Sequence, residues 1–277
     1  MLGARVLDTV PPVRKVVAEL VRVEFIDRSM VVAAQGLLAL VPLVVVLAAF
    51  LPQEVTALGI DRFESVTGVG EASADLVTDQ VAGTAAGLDA SAVRTQTGLL
   101  GLALTLLSAS SFARAVQRMY ERVWGRSHVG GFRGRRLCLG WLLGWLLAMQ
   151  GLSVVGWLDD RVGGVALDPL WLVLRAALAT VLWWWTLHLL LFGRVPWRPL
   201  LVPALVTGAA VVAYAAGSTV VMPRYATSSA QQFGTFGLVL AVATWLVGFA
   251  GVLVVSAVVG RVLVEDAWVR RTFRWVG

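Results

Sequence analysis

A dense basic segment in the middle of the chain constrains its fold more than any other feature. Seven arginines fall between Arg114 and Arg136, Glu121 is the only acidic residue among them, and an apolar segment adjoins each side. Because translocating basic residues across a membrane is costly, such loops stay on the cytoplasmic side. This segment therefore predicts the orientation of every neighbouring span.

The composition is that of a polytopic membrane protein. Hydrophobic residues make up 58% of the 277 residues, only 14% are charged, and the mean hydropathy is +0.80, whereas soluble domains carry about 25% charged residues. The net charge of +6 comes from basic residues clustered at the ends of apolar segments. We therefore expect anionic lipid headgroups as partners, and not nucleic acid. The single cysteine, Cys138, excludes an intramolecular disulfide and a cysteine metal cluster, and no cofactor is expected.

Six apolar segments are predicted to form membrane-spanning helices, which makes the fold all-α. About 20 apolar residues suffice to cross a hydrocarbon core of roughly 30 Å. The predicted spans are 30–51, 97–112, 137–158, 170–192, 200–222 and 233–263, within a membrane domain of residues 30–263. An acidic outer loop, 52–96, follows the first span, and a basic inner loop, 113–136, follows the second. A polar outer turn is predicted from Pro223 to Gln232.

The two ends of the chain are predicted to be cytoplasmic. Residues 1–29 lack the apolar core of a cleavable signal peptide, and their apolar residues recur at helical spacing among charged ones. This pattern fits an amphipathic helix on the inner membrane surface, or a solvated lead-in. Residues 264–277 form a basic tail.

The distribution of charge supports this orientation. With both termini inside, the inner segments hold 18 of the 23 Lys and Arg residues, the outer segments hold four, and Arg175 lies within a span. The reverse topology would place those 18 outside, against the positive-inside rule.

Proline and glycine predict local features of the spans. Pro42 leaves the carbonyl of Leu38 without its helical donor, so a kink is expected. Gly140, Gly144 and Ala148 form a small-residue edge suited to close helix contact. Gly234 and Gly237 indicate a bend or a close contact before the last span. The second span should continue beyond Phe112, since arginines follow it at four-residue steps.

Polar side chains at membrane depth are the candidate site residues. Arg175 is the strongest candidate, because an ionised group in a span needs water or a carboxylate. Its side chain either reaches to the outer surface or lies in an anion-binding cavity. Uncharged polar groups could form interhelical hydrogen bonds or line a polar pathway: Gln35, Gln150, His188 and Tyr214. Near the outer face, Arg224, Gln231 and Gln232 are further candidates.

The arginines at the end of the second span form a stripe. Arg114, Arg118 and Arg122 follow one another at four-residue steps and so share a helix face. They could bind phosphate-bearing headgroups, with each charge contributing about 1 kcal/mol of binding free energy. Alternatively, they could only set the orientation of the spans in the membrane.

Several stretches together resemble the YihY/BrkB family of bacterial inner-membrane proteins. The stretches are Asp27-Arg28 with Ala33-Ala34-Gln35-Gly36 leading to Leu40-Val41-Pro42, then Ser108 to Arg114 with Arg122-Val-Trp124, and Gln232-Phe233-Gly234-Thr235-Phe236-Gly237. Glu121 and Phe233 depart from that pattern, where Asn and Tyr are common. The resemblance covers about residues 20–265 and implies a six-span inner-membrane protein. The family was once labelled ribonuclease BN, and some of its members are linked to serum resistance or lipid-glycan export.

The chain offers little for nuclease chemistry. Its two histidines are His128 and His188, and its carboxylates lie mostly in the outer loops, whereas nucleases need metal-binding carboxylates or a positioned base. We therefore expect no enzyme. The leading hypothesis is a transporter-like or flippase-like protein that moves an anionic amphiphile such as a lipid-linked glycan. The alternatives are a scaffold that binds envelope proteins through residues 52–96, or an ion channel. The sequence leaves the oligomeric state open.

Overall fold

The computed structural model describes residues 11–50, 92–131, 134, 136–145, 147–148 and 168–265, and every regular element in these ranges is helical. The elements are α1 (Pro11–Arg22), α2 (Phe25–Phe50), α3 (Ala92–Val123), α4 (containing 136–145), α5 (Asp168–Leu190), a 3-10 turn (Arg198–Leu200), α6 (Leu201–Phe233) and α7 (Thr235–Glu265). Most of the acidic outer loop, Gln150 and residues 266–277 lie outside the described residues.

The apolar pattern of these helices matches a membrane protein. Two of them, Arg198–Phe233 and Phe236–Glu265, are long and apolar enough to cross a membrane by length and composition, and Ala176–Leu190 is a shorter apolar helix. Large apolar side chains are exposed along the helices, including Leu107, Leu143 and Val220. Soluble monomers rarely expose apolar surface on this scale.

The helices divide into two compact units. The first unit comprises Met1–Arg28, Ala113–Val211 and Gly251–Gly277, and the second comprises Ser29–Phe112 and Val212–Ala250. In the first, the largest fully buried side chains include Tyr120, Met119 and Leu187. In the second, Met222, Ala226, Leu238 and Ala241 form a buried cluster.

Two helical predictions from the sequence agree with the structure. The helix predicted near the N-terminus is α1, which ends in a turn where Glu24 takes a left-handed conformation, φ 57°. The prediction that the second span continues beyond Phe112 is confirmed, since α3 is unbroken to Val123. The backbone of Pro42 lies within α2, and its side chain is outside the described residues.

The predicted outer turn from Pro223 to Gln232 is wrong. Helix α6 continues through Pro223 and ends at Phe233. The physical reason is packing: Met222, Ala226 and Ala230 follow at four-residue steps and pack against α7, and this contact outweighs the lost backbone hydrogen bond at proline. The chain reverses instead at Gly234, φ +59°, a conformation in which glycine is not strained.

Close approach between helices depends on particular glycines. A Cβ atom on Gly237 would overlap the Ser229 carbonyl, and one on Gly260 would lie 2.5 Å from the Cα of Pro203. A Cβ on Gly144 would overlap the ring of Trp185, whereas one on Gly140 would meet nothing within 4 Å. Of the two glycines predicted to form a small-residue edge, only Gly144 is in close contact with a described residue.

The tryptophans of α4 and α5 pack on one another around a buried threonine. The indole N–H groups of Trp141 and Trp145 donate to Thr186 Oγ1 at 3.2 and 2.9 Å. Trp145 also meets Trp183 edge to face, with ring centroids 5.4 Å apart. These side chains hold α4 against α5 in the first unit.

Gly144→Ala and Gly140→Ala form a matched pair on α4. We expect Gly144→Ala to destabilise the protein by about 1 to 3 kcal/mol, because the added methyl displaces the Trp185 ring, and Gly140→Ala to be nearly neutral. Thermal unfolding of both variants in detergent measures the difference. Equal melting temperatures would contradict the packing of Trp185 on Gly144.

Candidate functional site

A buried carboxylate on α3 organises the polar part of the first unit. The Glu121 side chain is 2% exposed. Its Oε1 accepts hydrogen bonds from Gln117 Nε2 at 3.1 Å, from the Val129 backbone N–H at 3.1 Å and from Arg194 Nη2 at 2.7 Å. Its Oε2 lies 2.7 Å from His128 Nδ1. A buried charge is costly unless it is paired and hydrogen-bonded, and here both oxygens have partners.

The helix end places the following segment against Glu121. Helix α3 ends at Val123, Gly125 takes φ +59°, and the Arg126 N–H donates to the Glu121 carbonyl at 2.8 Å. A left-handed glycine just past a helix satisfies the last carbonyls and turns the chain. Gln117 lies one helical turn before Glu121 and also donates to the Val129 carbonyl at 3.1 Å. Val129 is therefore held at both its N–H and its C=O.

Arg194 connects the turn after α5 to this segment. Its guanidinium donates to the Ser127 carbonyl at 2.6 Å as well as to Glu121, and its Nε donates to the Leu191 carbonyl at 3.1 Å. Phe192 and Gly193 take positive φ values in the same turn. One side chain thus fixes the turn relative to the end of α3.

Two further arginines cap the C-terminus of α3. Arg22 Nη2 donates to the Val123 carbonyl at 3.2 Å, and Arg261 Nη1 donates to the same carbonyl. Glu19 accepts from Arg22 and lies 3.6 Å from Arg261 Nη1. Cations at a helix C-terminus are stabilised by the helix dipole. The amino-terminal helix and α7 are thereby joined to the end of α3.

Beside this cluster lies a cavity of about 370 Å³. It is lined by two of the predicted arginines and by the segment after α3: Arg114, Arg118, His128, Val129, Gly130, Gly131 and Gly134. The structure therefore brings Arg114 and Arg118 to a common recess. Arg122, the third arginine of the predicted stripe, instead lies 3.8 Å from Glu24.

Burial also acts on the tyrosine next to Glu121. The Tyr120 side chain is fully buried, and its hydroxyl has no hydrogen-bond partner in the described part of the chain. Desolvation raises the pKa of Tyr120 above its ordinary value. The phenol therefore stays protonated at neutral pH, and Tyr120 contributes packing and not charge.

His188 of the first unit is not among the residues that line this cavity. The His188 ring stacks on Trp197 with centroids 3.9 Å apart, and its Nδ1 has no hydrogen-bond partner among the described residues. Arg175 lies in α5, but its side chain is outside the described residues, as is Gln150. Whether Arg175 lines a cavity therefore stays a prediction.

The remaining predicted residues belong to the second unit. Tyr214 donates to the Trp245 carbonyl at 2.7 Å, so an interhelical hydrogen bond occupies its hydroxyl. Gln35 is half-buried in α2. Arg224 and Gln231 line an open recess of about 400 Å³ with Pro223, Thr227 and Ser228, and Gln232 is exposed.

The residue that sequence reasoning missed is Glu121. It was visible as the lone acidic residue among seven arginines, and Gln117 precedes it by one helical turn. Arg194 is 73 residues away in sequence, so nothing in the local pattern pointed to their pairing. No cluster of three or more metal-ligating side chains occurs among the described residues.

The apolar helices and the basic cluster at one set of helix ends define an all-helical membrane protein. The family model for virulence factor BrkB matches residues 16–272 of this chain. The chain therefore belongs to the BrkB family, as the resemblance predicted. No curated protein and no solved structure matches it.

Replacing the central carboxylate tests its structural role. We expect Glu121→Gln to destabilise the protein by about 2 kcal/mol, because Arg194 and His128 lose a buried charged partner. Thermal unfolding in detergent measures the loss. Glu265→Gln is the matched control, because Glu265 pairs with Arg261 with its side chain 56% exposed, and exposed pairs contribute about 0 to 1 kcal/mol. A Glu121→Gln variant as stable as the control would contradict the role assigned to this carboxylate.

Proposed function

We propose that this protein is a six-span bacterial inner-membrane transporter or flippase that moves an anionic amphiphile, such as a lipid-linked glycan, between leaflets. It has both termini in the cytoplasm and performs no covalent chemistry. The observation that carries the proposal is the recess lined by Arg114 and Arg118 at the end of a predicted span. A basic recess at the membrane surface concentrates anionic headgroups.

The amino-terminal helix supports this placement at an anionic surface. Val13, Val17 and Val21 follow at four-residue steps along α1 and are 40%, 40% and 75% exposed. Arg14 and Lys15 are also exposed on this helix. An apolar stripe with basic flanks is the pattern of a helix lying in the membrane interface.

In this proposal, basic residues bind the headgroup at both faces of the membrane. The inner arginines bind it first, and Arg175 and Arg224, which lie near the outer face in the proposed topology, bind it after it has crossed. Charged groups in spans mark substrate pathways when they face a hydrated cavity. The scaffold and channel alternatives need no such pathway for a headgroup.

Cysteine labelling tests the proposed topology. The native thiol, Cys138, is buried, and Cys138→Ser removes it. Single cysteines are then introduced at two exposed positions, Arg126→Cys and Ser228→Cys. We expect a membrane-impermeant maleimide to label Ser228→Cys on intact cells and to label Arg126→Cys only after permeabilisation. The reverse pattern would invert the topology.

Lipid movement tests the activity. The purified protein is placed in phosphatidylcholine vesicles that contain fluorescent phosphatidylglycerol, and loss of fluorescence to an external quencher reports movement between leaflets. We expect movement above that of protein-free vesicles, slowed at least about tenfold by Arg175→Ala, which removes a charge stabilising the headgroup at depth.

Arg126→Ala is the control, because it removes the same charge from an exposed position that does not line the recess. If the wild-type protein causes no movement of phosphatidylglycerol between leaflets, the result would favour the scaffold. Ionic current in planar bilayers, without lipid movement, would favour the channel.

A further inference from the structure

The recess beside Glu121 has on its wall an arginine, Arg118, that no carboxylate pairs with among the described residues. Glu121 is the acidic residue closest in sequence to Arg118, but both its oxygens are engaged by Gln117, Val129, His128 and Arg194. No carboxylate in the described part of the chain forms an ion pair with Arg118, which is half-buried on the wall of the recess. Partial burial of a cation is costly without an anion.

Arg114 adds a second cationic side chain to the same wall. It precedes Arg118 by about one turn of α3, so the Cα atoms of the two residues lie about 6 Å apart along the helix axis. Guanidinium groups present forked N–H donors that match the oxygens of phosphate and carboxylate. Two of them on one face can contact one tetrahedral anion from different sides.

The segment after α3 forms another part of the lining, and Gly130 and Gly131 within it have no side chains. Gly131 takes φ +78°, and a Cβ atom there would meet nothing within 4 Å, so the space beside it is open. A Cβ on Gly130 would lie 3.7 Å from His128 Nε2, which places the imidazole next to this glycine. Main-chain groups of glycine segments approach phosphate oxygens closely, since no side chain intervenes.

The rigidity of this segment comes from the cluster around Glu121. Val129 is held at both main-chain groups, and a Cβ on Gly134 would lie 2.8 Å from the Val129 carbonyl. The segment is therefore fixed before any ligand arrives. A preorganised site loses less entropy on binding.

We infer that this recess binds the phosphate group of an anionic lipid headgroup, held by Arg114 and Arg118 and by the Gly130–Gly131 segment. A cavity of about 370 Å³ admits a phosphate with its neighbouring glycerol. The inference rests on the proposed function only in taking this headgroup to be the transported one. Binding itself can be measured without movement.

Native mass spectrometry of the full chain in neutral detergent measures this binding with phosphatidylglycerol as the probe. We expect Arg118→Gln to weaken binding at least about tenfold, since it removes a charge-assisted contact to phosphate. Arg126→Gln, which removes the same charge from an exposed position outside the recess, should change binding less than about twofold. Arg114→Gln gives a second variant if Arg118→Gln fails to fold, as judged by its melting temperature.

Two further probes identify what is recognised. Diacylglycerol carries the acyl chains and glycerol but no phosphate and no charge, and its binding should respond equally to Arg118→Gln and Arg126→Gln. Inorganic phosphate is added as a competitor. If it displaces phosphatidylglycerol, the phosphate group alone is recognised, which supports the recess as a phosphate site. If it does not, the site requires the whole lipid, and the comparison of Arg118→Gln with Arg126→Gln decides whether the recess binds it.

The inference is overturned if Arg118→Gln and Arg126→Gln weaken phosphatidylglycerol binding equally, or if neither weakens it. Its failure is distinct from that of the proposed function. Selective binding without lipid movement would support the phosphate site and contradict the transport activity. Lipid movement without selective binding would support the transport activity and contradict the phosphate site.

Discussion

The hydrogen-bonded carboxylate of Glu121, buried near the C-terminus of α3, is the interaction on which the described first unit depends. An unpaired buried charge would cost several kcal/mol. Four donors from three parts of the chain offset this cost: Gln117 on the same helix, His128 and Val129 from the segment after it, and Arg194 from the turn after α5. These segments must therefore come together for the buried carboxylate to have its hydrogen-bond partners.

The end of α3 provides a second point of assembly. The last carbonyls of a helix have no partner within it, and here Arg22 and Arg261 supply donors to the Val123 carbonyl from near the two ends of the chain. Glu19 then lies between these two cations. The amino-terminal helix is thus joined to α3 and α7 by hydrogen bonds as well as by the burial of Val23.

The sequence predicted the helices better than it predicted the turns and the polar contacts. Apolar runs, helical spacing and glycine positions are local signals, so α1, the extension of α3 and a bend near Gly234 could be inferred. Pro223 was misinterpreted because its cost is local, whereas the packing of Met222 and Ala226 on α7 that offsets it involves residues distant in sequence. Glu121 was missed for the same reason, since its partner Arg194 is close to it in the folded structure but 73 residues away in sequence. The two arginines of the recess were found because four-residue spacing on a helix places side chains on one face.

Topology alone does not explain how the arginines of this segment are arranged. The positive-inside rule requires charge on one side of the membrane and is indifferent to where each side chain lies. Arg22, Arg194 and Arg261 serve the fold, since each caps a helix or pairs with a carboxylate. Arg118 does neither among the described residues, and it is half-buried where an exposed position on the same loop would satisfy the rule equally well. A cation held partly out of water beside an open glycine segment is stabilised when an anion occupies the recess, and this distinguishes a binding role from an orienting one.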